Sequence, residues 1–349
     1  SNISGSFNKG FEFSGAIKAG AVVWSSVEDL ITGRRGPGAQ GNSATALAAG
    51  GNETNPSSTF SAKTEEWDGT SWSEVNDMNY ARDGGMAGPS TNDAYFGGGL
   101  ANWNAIEKWD GTSWTNISYP NSGQPTYGGE GLNPGGHRGG FMGGCASDYL
   151  FLLNSSVYAP GGSFTEYNVA TETAVRCVEP PGGLHYGFSG DICTGIIAWG
   201  GLTPTEGNGC TNTTCWNGTT WSDTGARLIN VPGRLGYRNH YGAGVSSTSA
   251  VHIGGETGPP AGPAWNAQCT ECMHQIWDGT SWAVQGSLPK PVRCMGVTGT
   301  VDDTFIVGGL ESLVPYAAPY TMMVSSSRQH TSDLTTGSFG RLEFISASG

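Results

Sequence analysis

The sequence predicts an all-β protein built as a β-propeller, and three observations carry that prediction. Glycine and proline are abundant, with 58 Gly and 18 Pro among 349 residues, and both residues interrupt helices. A tryptophan-flanked hairpin recurs along the chain, and a pair of glycines ends a short strand upstream of most copies. Each repeat therefore predicts one sheet of four antiparallel strands.

The composition excludes several partners. Lys and Arg total 16 against 29 Asp and Glu, giving a net charge of −13 and a pI near 4.8, so we expect no nucleic-acid partner because phosphate binding needs a basic face. Apolar runs are far shorter than the roughly 20 residues of a membrane helix, so we expect no membrane insertion. The chain begins without Met or a signal-like segment, so we expect it to be part of a longer protein.

The hairpin repeat is the strongest local signal. It reads Trp67-Asp68-Gly69-Thr70-Ser71-Trp72 in its first copy, returns at 109–114 and 277–282, and has a variant, Trp216-Asn217-Gly218-Thr219-Thr220-Trp221. Asp-Gly or Asn-Gly between strand-forming flanks predicts a tight turn, because Gly tolerates positive φ and the Asp or Asn side chain caps the turn. Each copy therefore predicts the third and fourth strands of a sheet.

Paired glycines mark the end of the second strand in five repeats: Gly50-Gly51, Gly97-Gly98, Gly200-Gly201, Gly254-Gly255 and Gly308-Gly309. In a sixth, decayed copy, Leu152-Leu153-Asn154 replaces the glycines and residues 167–171 replace the tryptophan hairpin. A basic or imidazole residue precedes each of these positions by fourteen or fifteen residues: Arg35, Arg82, Arg138, His185, His240 and Arg293. These residues predict the starts of six blades and a ring near the propeller axis, which is either structural or a site for an anion or a metal.

The ends of the repeat region predict how the ring closes. The last repeat lacks a tryptophan hairpin, whereas residues 24–30 match residues 72–78 in their Trp-Ser-x-Val-x-Asp pattern. We therefore expect the N-terminal strand to complete the last blade, which leaves no blade broken. The predicted organisation is an extended N-terminal arm at 1–19, a six-bladed propeller at 20–326 and an extended C-terminal arm at 327–349, both arms rich in Gly and Ser.

Two resemblances follow from these motifs. The diglycine and the aromatic third and fourth strands resemble the kelch repeat over residues 20–326, which implies a kelch-like propeller. The Ser-Gly-Ser-Phe and Ser-Phe-Gly-Arg elements of the arms are similar to those of structural proteins of marine tailed bacteriophages, as is the style of the tryptophan hairpin. This resemblance implies a protein of the virion surface whose arms bind copies of itself or other virion proteins.

Two sets of residues are candidate binding sites. Cys210 and Cys215 in one predicted loop and Cys269 and Cys272 in the next form disulfides, remain free thiols or supply four ligands to zinc; calcium is the other metal considered, and no resident cofactor is expected. Trp103-Asn104 and Trp265-Asn266 form a platform for a sugar, since an indole stacks on a pyranose and an amide bonds its hydroxyls, or else anchor their own loops. Four other cysteines, at 145, 177, 193 and 294, are expected to be small buried hydrophobes.

The sequence contains no Gly-x-Ser-x-Gly, His-Glu-x-x-His or phosphate-binding loop, so we predict a protein that is not an enzyme. The leading hypothesis is a virion structural or adhesion module, such as a tail fibre, collar or decoration protein, that attaches to host-surface glycans. The alternatives are a secreted lectin-like kelch propeller and, third, a kelch-fold metal oxidase or a glycan-active enzyme.

Overall fold

The computed structural model describes residues 24–53, 59–97, 106–117, 141–143, 149–154, 163–168, 171, 173–177, 184–191, 195–202, 210–230, 235–238, 241–258, 269–270, 272–311 and 321–324. The described residues form strands and turns. They contain no helix with the length and apolarity needed to cross a bilayer.

The strands are short, as the spacing of the turns predicts. The first half of the chain contains β1 (Trp24–Ser26), β2 (Gly38–Gly41), β3 (Ala46–Ala49), β4 (Thr64–Trp67), β5 (Trp72–Val75), β6 (Gly85–Ser90), β7 (Asp93–Gly97), β8 (Ile106–Trp109), β9 (Trp114–Ile117), β10 (Phe141–Gly143), β11 (Tyr149–Asn154), β12 (Ser163–Asn168) and β13 (Thr173–Cys177). The second half contains β14 (Leu184–Asp191), β15 (Gly195–Leu202), β16 (Asn212–Trp216), β17 (Trp221–Arg227), β18 (Leu235–Arg238), β19 (Tyr241–Ser246), β20 (Ser249–Ile253), β21 (Glu256–Gly258), β22 (Cys269–Thr270), β23 (Met273–Trp277), β24 (Trp282–Ser287), β25 (Val292–Arg293), β26 (Gly296–Gly299), β27 (Thr304–Val307), β28 (Leu310–Glu311) and β29 (Thr321–Val324).

Most of these strands belong to four-stranded antiparallel sheets, and the fold is an all-β propeller. The sheets have the strand orders β2-β3-β4-β5, β6-β7-β8-β9, β10-β11-β12-β13, β14-β15-β16-β17, β19-β20-β23-β24 and β26-β27-β29-β1. Two smaller sheets, β18-β21-β22 and β25-β28, extend beside them. The decayed repeat thus forms a sheet like the others, β10 to β13, although almost nothing but its backbone is described.

The first strands of the sheets contact one another in a closed cycle. In chain order β2 contacts β6, β6 contacts β10, β10 contacts β14, β14 contacts β19 and β19 contacts β26, which contacts β2. Glycine permits this close approach, since a Cβ added to Gly38 of β2 would lie 2.7 Å from the Phe96 ring, and one added to Gly242 of β19 would lie 2.2 Å from the Trp199 ring.

The N-terminal strand completes the last sheet, as predicted. Trp24 pairs with Val324 and Ser26 with Met322 in an antiparallel register, so β1 is the outer strand beside β29. The first and last described strands therefore close one sheet together.

The tryptophan hairpins also form as predicted. Trp67 pairs with Trp72 across the turn, and their rings lie 5.5 Å apart. The φ angle of Gly69 is +96°, and Asp68 Oδ1 accepts hydrogen bonds from the backbone N–H groups of Thr70 and Ser71, each at 2.8 Å. The other three copies repeat this geometry, so the turn chemistry is set locally.

The apolar core lies between neighbouring sheets. One cluster joins Leu47 and Ala49 of β3 to Phe96, Trp109 and Trp114 of the next sheet. A second joins the first sheet to Phe305 and Val307 of β27 in the last sheet. Burial between sheets is what holds the ring together, at about 25 cal/mol per Å² of apolar surface.

Candidate functional site

Two buried ion pairs are the most highly charged features of the described interior. Arg34 Nη2 donates to Glu65 Oε1 at 2.9 Å, and Arg82 Nη2 donates to Glu107 Oε2 at 2.9 Å; all four side chains have zero exposure. Arg34 and Arg82 lie in the connections that lead into β2 and β6, and the glutamates lie on β4 and β8. Each pair therefore binds a connection to the third strand of the sheet that follows it.

Backbone groups add further hydrogen bonds to both pairs. Glu65 also accepts hydrogen bonds from the N–H groups of Ile31 at 2.8 Å and Thr32 at 3.2 Å. Glu107 accepts one from Asn79 N–H at 2.6 Å, and Arg82 donates to the Phe96 carbonyl at 3.2 Å. A buried charge is tolerated only when it is paired and hydrogen-bonded, and these contacts satisfy that condition.

Burial lowers the pKa of both arginines. Desolvation lowers the pKa of Arg82 to about 10, opposed by the favourable charge of Glu107, and it lowers the pKa of Arg34, opposed chiefly by Glu65. The Arg82 guanidinium stays charged at neutral pH because its pKa of about 10 remains well above 7. The pairs act as electrostatic clamps between each connection and its sheet.

The later sheets replace the clamp by less polar groups at the same positions. In the fifth sheet Gln275 accepts from Ile229 N–H at 2.7 Å and donates to the Ile229 carbonyl at 3.0 Å. In the last sheet Met322 pairs with Ile306 as Glu65 pairs with Ala48, and it belongs to the same apolar cluster as Val292. The clamp is thus a structural variant of a contact that is elsewhere neutral or apolar.

The backbone register shows that the residues predicted to form an equivalent ring do not all occupy the same position in their repeats. The carbonyls of Arg34, Arg82 and Val292 occupy one position, because each accepts a hydrogen bond from the second glycine of the preceding repeat, Gly309, Gly51 and Gly255. Arg34, and not Arg35, is therefore the counterpart of Arg82. The Arg82 side chain is fully buried in its clamp, so it cannot line an open axis.

Arg35 and Arg293 share the next position, where each pairs with the residue that follows the diglycine, Asn52 and Leu310. Arg238 takes this position in the fifth repeat by pairing with Glu256, two residues before the predicted His240. In the fourth repeat Leu184, and not His185, pairs with the corresponding Leu202. The repeats differ slightly in length, so a fixed sequence offset from the diglycine does not select equivalent residues.

The described side chains of the predicted ring also differ in their surroundings. Arg293 forms an ion pair with the buried Glu256, and Arg35 is half-buried. Arg138 and His240 lie outside the described residues, as does the side chain of His185.

The cysteine candidates are placed only in part. Cys215 is a free thiol on β16 that packs against the cluster of Ile197 and Trp199, and burial raises its pKa and that of Cys210. Cys272 packs against the cluster of Ile253 and Ile276, and the side chain of Cys269 is not described. No group of three or more metal-ligating side chains occurs among the residues that the structure describes.

The buried cysteine prediction holds at the one position where it is described. Cys294 is 5% exposed. Trp103, Asn104, Trp265 and Asn266 of the glycan platform lie outside the described residues, as do the arms 1–19 and 327–349.

Sequence reasoning missed Glu65, Glu107 and the role of Arg34. A signal was present, since Arg34 and Arg82 each follow the aligned residues Trp24 and Trp72 by ten positions. The glutamates each precede the first hairpin tryptophan by two positions, a regularity that was not used. Alignment on the tryptophans makes Arg34 equivalent to Arg82 and Glu65 equivalent to Glu107, but it does not show that they pair.

The four-stranded sheets and their closed cycle of contacts define a β-propeller. The structure is similar to the solved structure titled "Structure of YjhT", with a TM-score of 0.62 and 12% sequence identity over 84% of this chain and 95% of that chain. At that identity the likeness shows the fold alone. No family model matches the sequence, and no curated protein matches it.

Proposed function

We propose that this chain is a non-enzymatic structural and adhesion module of a tailed-bacteriophage virion. The observation that carries the proposal is that buried charged side chains form ion pairs inside the ring. These side chains are Arg34, Glu65, Arg82 and Glu107. Charges spent on rigid internal contacts suit a scaffold that presents loops, because binding residues concentrate in loops held by a rigid frame.

We further propose that the ring is a six-bladed, kelch-like propeller. Six four-stranded sheets and the closed cycle of contacts from β2 through β26 support this number. Positive φ at both members of four diglycines supports the kelch resemblance, since only glycine adopts that geometry freely. A cryo-electron microscopy map of the purified chain tests the blade count, and any number of blades other than six would contradict it.

The arms are proposed to join the ring to a neighbouring copy or to another virion protein. Their sequences place Phe7, Phe11 and Phe339 among Gly and Ser, and such segments bury too little apolar surface to fold alone. Hydrogen exchange measured on the isolated chain and on virions tests this role. We expect protection of both arms only in virions, and protection in the isolated chain would contradict it.

Mass spectrometry of gradient-purified virions tests the placement itself. We expect peptides of the ring, such as 109–114, to co-purify with infectious particles and to resist a high-salt wash. Recovery of the chain only from the particle-free medium, with glycans on Asn-x-Thr sites such as Asn217, would instead favour the secreted lectin-like propeller.

Glycan adhesion is tested separately on a glycan array. We expect binding that is lost in Trp103→Ala and Trp265→Ala and kept in Val284→Ala, a matched apolar truncation at a residue that is 48% exposed on β24. Equal binding by all three variants would remove the proposed sugar platform.

A further inference from the structure

Adjacent sheets are joined by a repeated contact from a tryptophan indole. Trp114 Nε1 donates to Thr64 Oγ1 at 2.9 Å, and Trp282 Nε1 donates to Thr213 Oγ1 at 2.8 Å; both contacts are buried. Each tryptophan begins the fourth strand of its sheet. Each threonine lies on the third strand of the preceding sheet, three residues before the first tryptophan of the hairpin.

The sheet that closes the ring makes the same contact with a different acceptor. Trp24 begins β1, and its Nε1 lies 3.4 Å from Nδ1 of His274, which is three residues before Trp277. The two rings meet edge to face, with centroids 5.4 Å apart. His274 thus occupies the position that Thr64 and Thr213 occupy in the other two sheets. His274 has zero exposure and Trp24 is 7% exposed, so this contact is buried as well.

This replacement makes the contact depend on protonation. An indole N–H can only donate, so Nδ1 of His274 must keep its lone pair while the contact exists, whatever its Nε2 atom binds. Protonation would place two N–H donors against each other and add a charge beside the apolar cluster of Ile276 and Met322. A threonine hydroxyl does not titrate in this range, whereas an exposed imidazole does so near pH 6.5.

Few ionisable groups lie on the described elements packed around His274. Cys272 precedes β23, two residues before His274, and packs against the same apolar cluster; its thiol gains no positive charge on acidification. Arg293 on β25 and Glu256 on β21 form an ion pair. His252, on β20, accepts from Trp199 Nε1 at 3.3 Å and lies on the interface with the preceding sheet.

We propose that His274 and Trp24 form an acid-sensitive latch on ring closure. The neutral imidazole of His274 holds the N-terminal strand β1 against the ring, and protonation of His274 on acidification weakens that contact. This inference does not depend on the proposed function, since it needs only the closing strand and its acceptor.

The expected size of the effect follows from linkage. If the closed state binds only the neutral imidazole and the open state has a pKa of about 6.5, closure weakens by a factor of 1 + 10^(6.5 − pH). The factor is close to one at pH 7.5 and about tenfold at pH 5.5. The sign is that protection of β1 is present above the open-state pKa and lost as the pH falls below it.

Hydrogen exchange of the full chain at pH 7.5 and 5.5 tests the latch, with labelling times scaled to the intrinsic amide exchange rate. We expect protection of peptides covering 24–30 to fall about tenfold on acidification, and that of peptides covering 114–117 to stay constant. The matched variant His274→Thr installs the acceptor used at Thr64, and it should hold β1 equally at both pH values.

A second variant keeps the test decisive if His274→Thr does not fold. Thr64→His should transfer the pH dependence to peptides covering 114–117, because Trp114 would then donate to an imidazole. Unchanged protection of β1 in the wild type, or a pH dependence of β1 that persists in His274→Thr, would overturn the proposal. A folded Thr64→His variant with no pH dependence at 114–117 would also count against it.

Discussion

The clamp of Arg82 and Glu107 can be tested against the chain's own apolar version of it. In Arg82→Val the carboxylate of Glu107 would keep zero exposure without its ion-pair partner, and breaking a buried pair in this way costs about 3–5 kcal/mol. Glu107→Met alone should cost a similar amount because the guanidinium is then stranded. The double variant copies Val292 and Met322, which pack in one apolar cluster.

The double variant should cost far less than the two single costs added together. It removes both charges, and with them the contact of the Arg82 guanidinium with the Phe96 ring and two hydrogen bonds: Asn79 N–H to Glu107 and Arg82 to the Phe96 carbonyl. At about 1 kcal/mol each, the hydrogen bonds give about 2 kcal/mol. The expected coupling free energy between the two positions is therefore about 4–8 kcal/mol, so their effects on stability should be far from additive.

Thermal melts followed by tryptophan fluorescence measure these differences. A 349-residue chain that unfolds as one unit has an unfolding entropy of about 0.7 kcal/mol/K, so each single variant should lower Tm by about 4–7 °C and the double variant by about 3 °C. The matched control is Lys108→Met, which removes an ion pair whose side chains are 39% and 33% exposed and should change little. Additive costs in the double variant would refute the clamp.

Three further predictions concern the turns and the closing strand. Gly69→Val should destabilise by about 1–3 kcal/mol because Gly69 has φ +96° and an added Cβ would lie 3.1 Å from the Ala44 carbonyl oxygen; Gly218→Val, at φ +93° with nothing within 4 Å among the described atoms, should cost less in urea unfolding, and the reverse order would contradict the assignment. Deleting residues 1–19 should leave the ring soluble, whereas deleting 1–30 removes β1 and should cause aggregation through the exposed edge of β29, as light scattering would show; equal solubility would count against it. Hydrogen bonds from the Thr70 hydroxyl and the Ser71 and Thr70 N–H groups lower the pKa of Asp68 to about 2, so its contribution to stability is present above about pH 4 and lost as the pH falls toward 2, and Asp68→Asn should flatten that part of the acid-unfolding curve; an unchanged curve would reject the turn's role.

The local elements of this protein were determined by the sequence alone. A hairpin such as 67–72 depends on the positive φ of one glycine and the capping oxygen of one Asp, and both act within four residues. The closing strand was also predictable, because Trp24 repeats a pattern whose place in a sheet was already known from Trp72. The long-range pairing of β1 with β29 could therefore be inferred from the similarity of two short sequence segments.

Only the tertiary structure decided which side chains that are far apart in the sequence contact one another. Arg34 and Glu65 are 31 positions apart and Trp24 and His274 are 250 apart, and a repeat count that errs by one residue moves a side chain to the wrong position. The error at Arg35 has that origin, since the first glycine of the pair follows Arg34 by sixteen residues but Arg82 by fifteen. Each clamp forms because a connection folds against the third strand of the sheet that follows it, and Trp24 meets His274 because ring closure brings the first strand to the fifth sheet. No property of a single strand records either contact.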